Sequence, residues 1–175
     1  MSGTGQWERL HQPRPSLWSA FASPATAIAT VFGAGFFPIW PGTFGSVLAL
    51  PLVYVIEPLD PAAKVAIYLV LFLVGVWAAQ GAGRQFGEAD HSAIVCDELW
   101  SMAVVWECTP GGFRWMATSF IAFRLFDAVK PWPISAIDRG MKNGLGVMLD
   151  DCLAALASIL AVWALHSAIV AVGWG

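Results

Sequence analysis

Five apolar stretches, 44–56, 65–79, 94–106, 113–129 and 147–174, take up most of this chain, and the connections between them are short and broken by Pro or Gly. A segment placed in hydrocarbon has to satisfy its own backbone amides, so consecutive apolar runs of this kind fold as helices and not as open strands. The expected fold is all-α, a small integral-membrane helical bundle. Only 147–174 reaches the roughly 20 residues that cross a bilayer unaided; the other stretches must gain length from their flanks or penetrate part-way. Composition agrees, with 58% hydrophobic and 12% charged residues among 175, where a soluble domain carries about 25% charged residues. The expected organisation is a polar N-terminal arm, 1–16, followed by one membrane-embedded domain, 17–175.

Several classes fall away. A net charge of −3 without a basic run gives a nucleic-acid backbone nothing to bind. Cys96, Cys108 and Cys152 share no C-x-x-C spacing and lie in or beside apolar segments, which supports neither a disulfide framework nor a zinc site. Residues 17–37, preceded by Arg9 and Arg14, have some look of a secretory signal, but their polar lead is long and Ser19, Ser23, Pro24 and Thr26 dilute the apolar part, which disfavours cleavage.

With the N-terminus cytoplasmic and each stretch crossing or dipping once, the arm and the connections 80–93 and 130–146 share the cytoplasmic side. These hold Arg9, Arg14, Arg84, Lys130, Arg139 and Lys142, against Lys64 and Arg114 opposite, the bias expected of cytoplasmic loops. The polar residues then converge. PGTFGS (41–46) opens the first stretch, Asp97 and Glu98 open the third, Arg124 and Asp127 close the fourth, and Asp150 and Asp151 open the fifth, all at one membrane end.

An ionised carboxylate facing hydrocarbon costs about 2.5 kcal/mol or more, so such acids normally face a bundle interior or an aqueous cavity. Asp97, Glu98, Asp150 and Asp151 also repel one another unless protons or cations intervene. A hard divalent cation such as Mg²⁺ resolves this, since it binds carboxylate oxygens and keeps waters and substrate phosphate as its other ligands. Arg124 and Asp127, three residues apart, share a helix face, and Lys130 precedes the helix-ending Pro131. Arg124 and Lys130 suit phosphate oxygens; the plainer alternative is an Arg124–Asp127 ion pair within the helix. In PGTFGS, Gly42, Thr43 and Ser46 start a helix whose free amides attract anions, although the same pattern also makes an ordinary helix cap.

Other motifs carry less. Cys108–Arg114 has the C-x5-R spacing of cysteine-dependent phosphatases, but Glu107 opposes thiolate formation, Pro110 removes a cradle amide, and the topology puts the stretch opposite the acids. Gly33, Ala34 and Gly35 precede no G-K-[ST]. His91 is read as a solvated loop residue and His166 as a packed one, Asp138 and Arg139 as head-group contacts or hydrated charges, and Ala154 and Ser158 as a packing pair.

The blocks FGAGFFPIWPGTFGSVLALPL (32–52), ADHSAIVCDELWSM (89–102), FRLFDAVKPWPISAID (123–138) and GLGVMLDDCLAA (144–155) together resemble bacterial phosphatidylglycerophosphatase A. Trp100 and Ser101 after D-E, and Lys142 and Asn143 where a Gly-rich turn is common, depart from the usual pattern. The resemblance implies a multi-pass enzyme of the bacterial inner membrane, a bundle around a central helix, and Mg²⁺-dependent conversion of phosphatidylglycerophosphate to phosphatidylglycerol. The family's motif residues fall on Asp97, Glu98, Arg124, Asp127, Lys130, Asp150 and Asp151. The expected mechanism is attack by a metal-activated water, with the ion held by a subset of Asp97, Glu98, Asp127, Asp150 and Asp151, and with Arg124, Lys130 and the Thr43 region holding phosphate. The competing readings are a small proton or cation transporter using the same acids, a phosphatase for a different lipid monophosphate, and a phosphotransferase for nucleotide-activated lipid alcohols, whose D-G-x-x-A-R motif is absent.

Overall fold

In the computed structural model, which describes residues 15–173, every regular element is helical and no strand occurs among the described residues. The sequence-based arm, including Arg9 and Arg14 but apart from Pro15 and Ser16, and the last two residues, Trp174 and Gly175, lie outside the described residues. A short 3₁₀ turn, Leu17–Phe21, leads to α1 (Pro24–Ala29), whose N-cap Ser23 accepts the amide of Thr26. The following helices are α2 (Pro41–Val47), α3 (Ala49–Ile56), α4 (Pro61–Phe86), α5 (Cys96–Cys108), α6 (Phe113–Val129), α7 (Ile134–Gly140) and α8 (Gly144–Ala171).

The helix ends follow local chemistry. Asp60 caps α4 by accepting the amides of Ala62 and Ala63, and Gly87, at φ +78°, ends it in the left-handed region. Asn143 caps α8 by accepting the amide of Gly146. The first apolar stretch forms not one helix but two, interrupted at Leu48. Pro51 has no N–H to offer the carbonyl of Val47 and its ring crowds that oxygen, so the break falls where the helix would need that bond. The second stretch is longer than its apolar run, because α4 continues through Gly81 and Gly83 to Phe86. Those glycines serve packing: a Cβ at Gly81 would stand 2.6 Å from the Cβ of Ala25, and one at Gly83 3.0 Å from the Cα of Ala89.

The bundle is built around α8, which packs against α4, α5, α6 and α7. Small residues let the backbones close: a Cβ on Gly144 would meet the Val76 carbonyl oxygen at 2.3 Å, and Ala154 and Ser158 are fully buried. One core cluster joins α1, α4, the start of α5 and α8 through Ala29, Ala82, Phe86, Ile94 and Met148; a second joins α3, α5, α6 and α8 through Ala49, Met102, Phe123 and Ala155. Two helices, α4 and α8, are long and apolar enough to cross a membrane. Their outward faces are apolar as well, with Leu69, Leu73, Trp77, Leu156, Leu160 and Trp163 exposed.

Candidate active site

Four helices and one loop bring the polar residues together. The start of α5 is fixed by the Val95 amide, which donates to the Ala29 carbonyl at 2.9 Å, and this sets Asp97 and Glu98 in the first helical turn. Arg124 and Asp127 come from the end of α6, with Arg124 Nη1 2.9 Å from Asp127 Oδ2 and 3.9 Å from Glu98 Oε1. Nη1 is buried and ion-paired with Asp127, but that contact does not meet hydrogen-bond geometry. Helix α2 presents the Gly42 backbone so closely that a Cβ there would lie 2.1 Å from Glu98 Oε1 and 3.2 Å from Arg124 Nη1. Only glycine allows that approach.

Lys130 caps α6 in the left-handed conformation, φ +43°; Pro131 bars it from continuing the helix. Its ammonium donates to Asp138 Oδ1 at 3.0 Å and to Asp150 Oδ2. Burial opposes the lysine's charge, yet the hydrogen bonds and charges of Asp150 and Asp138 outweigh it and raise its pKa. For Asp138, burial again works against ionisation, but Lys130 and then Lys142 hold the carboxyl below the ordinary carboxylate range.

The two adjacent acids of α8 diverge. Asp150 turns to Lys130 and accepts the Asp151 amide through Oδ1 at 3.1 Å. Asp151 turns to α5: one oxygen from each of Asp97, Glu98 and Asp151 lies within 4.8 Å of the others. Asp127 lies beside Asp151 across the α6–α8 contact. Asp97 Oδ1, Glu98 Oε2 and Asp151 Oδ2 are buried without a hydrogen-bond partner. Three clustered carboxylates, each with an unpartnered buried oxygen, fit a hard cation, since octahedral ligands at about 2.1 Å stand about 3–4 Å apart. The cluster could hold a metal ion.

These residues line a cavity of about 340 Å³ with Trp40, Gly42, Asp90 and Ser92. A larger groove of about 410 Å³ between α4 and α5, bordered by Tyr68, Trp100 and Val104, is mostly apolar and lacks the acid cluster. Most of the expected site residues thus meet in one place. Thr43 and Ser46 do not line the cavity, and the Ser46 hydroxyl donates back to the Gly42 carbonyl at 2.9 Å. Placing Asp150 and Asp151 at a helix terminus also needs correction. They are the seventh and eighth residues of α8, beyond the first turn in which terminal charge acts, and Lys130 supplies the countercharge for Asp150. Asp90 and Ser92 were missed because nothing in a 14-residue polar connection marks which side chains fold back on the site; their only signal is closeness to Asp97.

The decoys separate from this cavity. Cys108 closes α5, about 18 Å along the helix from Cys96, and its carbonyl accepts the indole N–H of Trp163. His91 Nδ1 accepts the Ala93 amide at 3.1 Å within the connection, and His166 packs edge-on between Trp115 and Trp163.

The family model for phosphatidylglycerophosphatase A matches residues 27–166, which include every residue of the cluster. The chain belongs to the phosphatidylglycerophosphatase A family. The Escherichia coli (strain K12) phosphatidylglycerophosphatase A is 34% identical over 138 residues, 78% of this chain and 80% of that protein. The Haemophilus influenzae phosphatidylglycerophosphatase A is 34% identical over 146 residues, 82% of this chain and 90% of its own length. A Bacteroides thetaiotaomicron protein, provisionally named a phosphatidylinositol-3-phosphatase, is 36% identical over 143 residues, 77% of this chain and 89% of its own. No solved structure matches. The phosphatidylglycerophosphatase A relatives are phosphatases by name, which agrees with the enzymatic reading of the motifs.

Proposed function

We propose that this chain hydrolyses the terminal phosphate of phosphatidylglycerophosphate to give phosphatidylglycerol, as a multi-pass protein of the bacterial inner membrane with its site toward the cytoplasm. The observation that carries the reading is the cluster of Asp97, Glu98 and Asp151, each with a buried, unpartnered carboxylate oxygen, lining a cavity that Arg124 and Lys130 also line. In a chain of this family, that set suits a phosphate monoester accompanied by a divalent cation.

Asp97, Glu98 and Asp151 would hold Mg²⁺, with Asp127 beside them. When bound, the ion supplies positive charge against the phosphate and acidifies a water for attack at phosphorus. Arg124, whose Nη1 is paired with Asp127 without forming a hydrogen bond of good geometry, donates to a nonbridging oxygen, and Asp127 keeps the guanidinium turned to the cavity. Lys130 spends two donors on Asp138 and Asp150 and retains the third of its three N–H groups for phosphate. The close backbone of Gly42 presses Glu98 and Arg124 into register.

The decisive experiment is phosphate release from a panel of lipid monophosphates by purified protein, with and without EDTA. Release from phosphatidylglycerophosphate that stops with EDTA and returns with Mg²⁺ is expected; undiminished release in EDTA defeats the metal reading. The name of the Bacteroides relative favours one second reading, a phosphatase for another lipid monophosphate, and the same panel decides between them. A transporter would spread its acids through the membrane depth, whereas these gather at one end of the bundle.

A further inference from the structure

Most of the residues around the acid cavity are polar or charged, and Trp40 stands out among them. It lines the cavity, yet its side chain is 75% exposed. Its backbone lies at φ +53°, ψ +59°, immediately before Pro41 starts α2, a conformation that a bulky residue adopts only when its surroundings impose it. Those surroundings are tight. Phe37 and Phe44 pack ring on ring with centroids 3.7 Å apart on either side of the turn, and Gly42 is wedged against Glu98 and Arg124. The turn that carries Trp40 is therefore fixed by packed neighbours on both flanks, and the ring itself is left open beside the cavity. An amphipathic ring in that position meets the part of a lipid where the polar head joins the apolar chains, the level at which Trp settles in bilayers.

We propose that Trp40 is a specificity-determining residue that packs against the glycerol backbone and upper acyl chain of the lipid whose phosphate enters the acid cavity, so that the site favours a phosphate monoester carried on a lipid over the same head group in free solution. This rests on the lipid-phosphatase reading above.

The test compares dioleoyl phosphatidylglycerophosphate in detergent micelles with its deacylated head group, glycerophosphoglycerol phosphate. Trp40→Gly removes the ring while tolerating the left-handed backbone, and Trp40→Phe restores an aromatic face. Trp18, 81% exposed and outside the cavity lining, is the control for general membrane anchoring. Trp40→Gly is expected to raise KM for the lipid about tenfold with little change in kcat, to leave kcat/KM on the deacylated compound unaltered, and to be largely rescued by Trp40→Phe. Trp18→Ala is expected to change neither substrate. Equal losses on both substrates, a fall in kcat alone, no effect, or the same effect from Trp18→Ala would overturn the proposal while leaving the phosphatase reading intact. A wild-type protein that releases phosphate from neither compound would overturn both.

Discussion

Successive side chains on a helix point about 100° apart, and at Asp150 and Asp151 that angle assigns two carboxylates to different partners. Asp150 belongs to Lys130, whereas Asp151 faces Asp97 and Glu98. Their neutral variants should therefore fail differently. Asp151→Asn relieves repulsion among buried acids, so in metal-free detergent it should melt at or above the wild-type temperature while losing about 100-fold or more in phosphate release. Asp150→Asn removes one of the two carboxylates that hold Lys130, leaving Asp138, and should lower stability by about 1.5 kcal/mol; matching melting curves for the two variants would contradict this division. Asp138 adds a pH dependence. Its carboxyl titrates below its unfolded value because of Lys130 and Lys142, so its contribution is present above the ordinary carboxylate pKa of about 3.9 and disappears as pH falls through the lower folded value. Asp138→Asn should flatten that acid limb of the melting temperature and leave it parallel to wild type above about pH 6.

At the level of the helices, the sequence marked where the acids lie but not how the backbones approach. Asp97, Glu98, Arg124, Asp127 and Lys130 were legible because charges at the edges of apolar runs are costly without a purpose. That Asp150 and Asp151 diverge follows from any helix through both; which of them turns to Lys130 and which to Asp97 and Glu98 was not legible, since it depends on how α8 is rotated against α5 and α6. Nor was the passage of α4 through Gly81 and Gly83, because glycine reads as a breaker unless the helix packed on it is known. The contacts now rank the glycines. Gly75→Ala meets only the flexible end of Met148, whereas Gly144→Ala meets the backbone of Val76 and Gln80. Gly144→Ala should cost about 1–3 kcal/mol more than Gly75→Ala, read as the difference in thermal or denaturant midpoint. Gly42→Ala would displace Glu98 and Arg124, so its expected signature is about a tenfold or larger loss in kcat with little loss of stability.

On the scale of the whole molecule, α4 and α8 are long and apolar enough to cross a membrane and leave apolar faces outward, which supports the membrane setting proposed above. The protein should stay with the membrane fraction through high-salt and carbonate washes and leave it only with detergent; release by carbonate alone would argue against spanning helices. The all-helical character was legible from the apolar runs alone, since lipid permits few alternatives. How many helices are long enough to cross a membrane was not, because α2 and α3 are each under two and a half turns and α5 is 13 residues long. From Asp151 to the end of α8 run about 20 further residues, about 30 Å of helix, which is the thickness of a hydrocarbon core. On the proposed reading, the reacting phosphate is then worked on at the membrane surface with a complete apolar layer beneath it. A lipid needs only to drift sideways to reach the cavity and leave it, so substrate and product remain in one leaflet, and neither has to be turned over for the reaction to occur.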